Sequence, residues 1–185
     1  MSNLATDRRW VIAVFVAFAI AGCSHKASSQ ISGGVAPFST ARNQAIGLVA
    51  HTKRSLGASD VNTLAVAYTS LQEKANAYAS FMVEAVTTSS FDATRNAKYA
   101  SDLGKAIADF NKSYDSIEAD HHDVVPGTWV APFAQTLQTR WNQYSGTIAQ
   151  MSPQTKADVI ADLKRQTVWP NFEDISTEPV AAKPH

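Results

Sequence analysis

Residues 59–85 read SDVNTLAVAYTSLQEKANAYASFMVEA, and their spacing decides the fold class. Val61, Leu64, Tyr68, Leu71, Ala75, Tyr78, Met82 and Ala85 follow one another at alternating intervals of three and four. That interval returns side chains to the same side of an α-helix, so the eight form one apolar seam, and such a seam packs helix against helix. Ser59 and Asp60 stand where the helix should open.

The same reading extends in both directions. Downstream, the run Thr87, Thr88, Ser89, Ser90, Phe91 breaks the pattern. Asp92 then begins a second long helix, with Tyr99, Leu103, Ile107, Phe110, Tyr114 and Ile117 in line. Pro126-Gly127 ends that stretch. Thr128 is placed to cap a third helix along Val130, Ala134, Leu137, Trp141, Tyr144, Ile148 and Met151, with Pro132 in its first turn. Ser152-Pro153 pairs an N-cap with a first-position proline and opens a short helix that turns Val159, Ile160 and Leu163 inward, closed by Trp169-Pro170. Upstream, Ser39 and Thr40 are candidate caps for a helix carrying Ile46 and Val49 and stopping near Gly57. No segment alternates apolar and polar residues as a half-buried strand does. The expected fold is therefore all-α: an antiparallel bundle of four to five helices over residues 39–169, followed by an irregular, proline-containing tail at 170–185.

Composition agrees with an ordinary globular domain: 185 residues, 45% hydrophobic and 17% charged, with 16 basic and 16 acidic side chains. Such a balance supplies no field that would draw in nucleic acid. The first residues are different in kind. Arg8 and Arg9 precede an apolar run of about a dozen residues from Trp10 to Ala21, the layout of a signal peptide and well short of the roughly 20 residues that span a bilayer. Ile20-Ala21-Gly22-Cys23 resembles the lipobox of bacterial lipoproteins, an aliphatic and two small residues before a cysteine. That resemblance covers the targeting segment alone. It implies cleavage after residue 22, acyl chains such as palmitate on Cys23, and a membrane anchor made of lipid, since two or more chains hold where one holds only marginally. Cys23 is the only cysteine, so no disulfide forms within the chain. Residues 23–38, rich in Ser, Gly and Ala, read as the lipidated cysteine and a flexible tether. Ser24, where an aspartate would resemble an inner-membrane retention signal, points to the periplasmic side of the outer membrane.

Few residues invite chemistry. Asp115, Glu118 and His122, at i, i+3 and i+7, lie on one face among the acids and histidines of 115–123 and suit a divalent transition metal. Acids gathered at a helix C-terminus also oppose its dipole, which calls for a compensating cation or basic group. Trp129, Trp169 and Phe172 put large rings at helix ends, where they either plug the bundle or anchor a partner. Met82 and Met151 lie on seams, where methionine serves as core filler. Gly104 and Gly146 interrupt helical patterns and allow close approach or a bend. Nucleophile elbows, P-loops, dinucleotide-binding glycines and His-Glu-x-x-His are all missing from the sequence. The expectation is a non-enzymatic, lipid-anchored envelope protein that binds another protein for assembly or immunity and needs no cofactor beyond its covalent lipid. The alternative is a helical bundle that binds a metal or small ligand through the 115–123 cluster.

Overall fold

The computed structural model describes residues 36–55, 58–120 and 133–177, except the side chains of residues 58, 59 and 118–120. The protein is an all-α bundle. Among the described residues it consists of α1 (36–55), α2 (Ala58–Thr88), α3 (Ala93–Asp120), α4 (Ala134–Ala149) and α5 (Pro153–Thr167), with no strand.

The seam that predicted α2 is its core face. Leu64, Tyr68, Leu71, Ala75, Tyr78, Met82 and Ala85 are buried and Val61 is packed at the edge. At the C-terminal end Ser89 takes a positive φ of 56°, and the Ser90 N–H donates to the Ala85 carbonyl at 3.2 Å, which closes the last turn. Asp92 Oδ1 accepts the N–H groups of Thr94 at 2.8 Å and Arg95 at 3.0 Å, an N-cap that starts α3. Its line runs through Leu103, Ile107, Phe110, Tyr114 and Ile117, all buried. Near the connection Tyr99 stacks on Phe81 and Tyr78, with ring centroids 5.2 and 6.1 Å apart, while at the far end Tyr68 meets Phe110 at 6.4 Å. α2 and α3 are therefore antiparallel. Helix α4 returns along α3, since Asn96 bonds Gln138 and Asn142, and Gly104 faces Ala134. The Ser152 hydroxyl accepts the Thr155 N–H at 3.2 Å and Pro153 takes the first turn of α5, which packs along α2.

Three boundaries depart from the sequence reading. Ser39 and Thr40 are not caps: the Thr40 hydroxyl donates to the Ala36 carbonyl one turn back, so α1 is already formed there, and Phe38 is wholly buried against Tyr78 and Phe133. Packing of that ring draws the start of the domain into the expected tether. Helix α4 starts at Ala134 with Phe133 as its N-cap residue and no side-chain cap, later than a start at Thr128 with Pro132 inside the first turn. Phe133 is again held by Phe38, at 5.6 Å between ring centroids, whereas Thr128, Val130 and Pro132 lie outside the described residues. Finally, residues 168–177 are irregular but belong to the domain, because Trp169, Phe172 and Ile175 are buried in the common core.

Candidate functional site

The two flanks of α1 are occupied differently. Along one flank runs the C-terminal segment 168–177, held mainly through its own carbonyls. Arg42 donates to the Gln166 and Val168 carbonyls, each at 3.1 Å. Lys53 Nζ donates to the carbonyls of Phe172 at 2.6 Å, Ile175 at 3.2 Å and Glu173 at 3.4 Å, and lies 4.6 Å from the centre of the Phe172 ring. Arg54 reaches the Thr177 carbonyl at 3.4 Å. From α2, Gln72 donates to the Trp169 and Pro170 carbonyls, and the Tyr68 hydroxyl donates to that of Pro170 at 3.0 Å. The segment is a strap of extended chain and one turn, seated by basic and amide donors.

Trp169 and Phe172, proposed from the sequence as partner anchors, face inward in this strap. Both are buried and pack on Tyr68 at 5.9 Å, so they plug the bundle and offer no protruding ring to a partner. Trp129 lies outside the described residues, as does His122. Of the proposed metal set, Asp115 is exposed on α3 and the Glu118 side chain is not described. Among the described residues no three His, Cys, Asp or Glu side chains converge on one point. Cys23 also lies outside the described residues, and no described helix is long and apolar enough to cross a membrane.

The other flank of α1 borders an open cleft of about 640 Å³. Thr40, Asn43, Gln44, Gly47, Leu48, His51 and Arg54 line it, and Tyr114 of α3 contributes to its floor. Thr40, Gln44, Gly47, His51 and Arg54 recur at i, i+4, i+7, i+11 and i+14, one stripe along the helix. The buried Leu48 and Tyr114 give an apolar floor under a polar rim. No carboxylate is among the described lining residues, and Arg54 carries the fixed charge. Asn43 Oδ1 already accepts the Arg42 Nε–H at 3.3 Å, which leaves the Asn43 amide NH₂ as its donor for anything in the cleft. A Cβ on Gly47 would meet nothing within 4 Å, so the glycine is not required by packing and keeps the middle of the cleft open. This stripe was legible only as a solvated helix face. The signal that marks it is a glycine, exposed and mid-helix, amid polar residues of matching phase.

Groups with displaced ionisation serve the scaffold. Burial pushes the Tyr68 phenol up to about 12, against a lowering pull from Arg42, and burial also raises Tyr78. The bidentate hydrogen bonds from Arg95 hold Glu84 below the ordinary carboxylate range, and the Lys98 hydrogen bond does the same for Asp102. The first of these pairs links α2 to α3 and the second is an i,i+4 pair within α3; both are at the surface, where ion pairs add little. No family model, curated protein or solved structure matches this chain.

Proposed function

We propose that this chain is an exported lipoprotein, acylated on Cys23 and held at the periplasmic side of the outer membrane, whose bundle binds another envelope protein without catalysing a reaction. The observation that carries this reading is Ile20-Ala21-Gly22-Cys23 at the end of a short apolar run, directly upstream of a helical domain. An apolar run of that length suits an export signal better than a permanent span, and a lipid on Cys23 replaces the span as anchor. The bundle supports a binding role through α1, the first described helix after the tether, which holds one extended segment and borders an open cleft.

Mass spectrometry of the membrane-extracted protein tests the address. The expected product begins at Cys23 and carries acyl chains, and it incorporates radiolabelled palmitate, whereas Cys23→Ser accumulates as unlabelled precursor. An intact Met1 terminus with an unmodified thiol defeats the proposal.

A further inference from the structure

We infer that the strap is exchangeable between copies of this chain: two copies swing residues 169–177 about Val168, and the strap of each lies in the seat of the other. The inference rests on the anchored-lipoprotein reading only in how often two copies meet; the strap, its hinge and its seat are properties of the fold.

The hinge comes first. Among the described residues the strap joins the bundle only through Val168, which follows the last residue of α5 in extended conformation (φ −71°, ψ 126°) and is 64% exposed. The chain does not reverse there. Lys156 of α5 bonds Ser89, the Trp169 carbonyl meets Gln72, and Phe172 packs on Tyr68, so positions along α2 fall steadily from α5 into the strap. With no reverse turn to undo, rotation about one exposed residue redirects the whole segment. Pro170 makes that segment an arm: it fixes its own φ at about −65° and holds Trp169 out of the helical region, so both residues stay extended whether seated or free.

The seat is indifferent to whose strap it holds. Past the hinge, side chains of α1 and α2 donate to main-chain carbonyls of the strap, and Trp169, Phe172 and Ile175 fill the apolar places beneath. A strap from a second copy reproduces each of these contacts unchanged, which is the physical basis of exchange between identical chains. That decides the occupant. A foreign segment leaves the displaced Trp169, Phe172 and Ile175 in water, and it competes with a cis strap whose effective concentration is on the order of millimolar, so at about micromolar levels it must bind roughly a thousandfold more tightly. Reciprocal exchange between two copies fills both seats and closes the pair about a two-fold axis, which leaves only the association of the chains to be offset, and confinement to one membrane surface lessens that. The seated strap also has a defect that favours opening: Trp169 Nε1 is buried without a hydrogen-bond partner among the described residues, and water satisfies it when the arm swings out.

Two tagged copies test the exchange. Full-length chains carrying Arg54→Cys with one epitope tag and Thr177→Cys with another are expressed together, and the lysate is treated with a short bismaleimide. Both positions are exposed and meet through a weak bond of 3.4 Å, so the seat loses little. The expected product is an adduct bearing both tags. It should be absent when Arg54→Cys is replaced by Thr139→Cys, on an exposed position of α4 that has no part in the seat, and absent from chains whose single cysteine is Cys23. A single chain with both substitutions shows that the two sites meet. If that chain closes on itself and the tagged pair gives no mixed adduct, the strap serves its own bundle alone and the exchange is overturned. Equal yield from the Thr139→Cys pair means random collision and overturns it as well, and a doubly substituted chain that closes in neither way removes the seat itself. The mass of the N-terminus, read in the same preparation, tells an unlipidated chain from an unexchanged strap.

Discussion

Asn96 has no exposed surface and is nevertheless fully employed. Its Oδ1 accepts the Tyr78 hydroxyl at 2.6 Å, and its Nδ2 donates to the Gln138 carbonyl at 3.0 Å and to Asn142 Oδ1 at 3.1 Å, so one side chain ties α2, α3 and α4 together. A buried amide left without a partner costs about 1–3 kcal/mol, whereas a satisfied one fixes which helices meet and in what register. Tyr78→Phe removes the donor and leaves Asn96 Oδ1 stranded; urea denaturation should show a loss of about 1–3 kcal/mol, and a variant as stable as wild type would deny the bond its importance. The phenols also set an alkaline limit. Unfolded tyrosine titrates near 10, while burial pushes Tyr68 up to about 12 and raises Tyr78, so the folded state keeps both neutral where the unfolded chain ionises. The stabilisation is complete below pH 10 and is lost as pH rises toward 12. Urea midpoints should be flat up to about pH 9.5 and fall beyond it, with a shallower fall in Tyr78→Phe. Midpoints that do not decline by pH 11 would contradict this account.

At the scale of elements, what could be read from the sequence was whatever repeats or caps locally. The α2 and α3 lines, the Asp92 cap and the Ser152-Pro153 opening of α5 each place their signal within a few residues of its effect, and each stands in the structure. The caps placed at Ser39 and Thr40 and the start of α4 at Thr128 were misread where one long-range contact, Phe38 on Phe133, operates, and no local pattern announces it. The tail at 170–185 was read as irregular, as residues 170–177 are, but the attachment of this strap was not legible for a related reason: its acceptors are main-chain carbonyls, which are the same for every residue, and its donors lie roughly a hundred or more positions upstream. The cleft was illegible because polar residues at helical spacing ordinarily mean a solvated face, and part of its floor, Tyr114, comes from another helix. Lys53 is the strap's main fastening, with three carbonyls and a ring around one ammonium. Lys53→Met keeps the aliphatic stem and removes those bonds. It should cost about 1.5–3 kcal/mol and speed amide exchange and proteolysis within 168–177 before the rest of the domain. Exchange in the strap no faster than in wild type would show that Trp169 and Phe172 alone hold it down.

For the molecule as a whole, two exposed glycines hold stability that the packing does not require them to forgo. Gly47 in α1 and Gly146 in α4 both sit within helices where an added Cβ meets nothing within 4 Å, and neither has a positive φ. Each therefore forgoes about 1 kcal/mol relative to alanine with no packing in return, in a domain whose total stability is expected to be only about 5–15 kcal/mol. The difference between them is location: Gly47 borders the cleft, Gly146 does not. Because they lie on different helices and share no described contact, their effects on stability should add. Gly47→Ala with Gly146→Ala should therefore gain about 2 kcal/mol and raise the melting temperature by roughly 4–8 °C by calorimetry, each single variant giving about half. Stabilisation at both positions is the pattern expected of glycines that the packing does not require. Loss of stability at either position would instead show that the fold needs the glycine there.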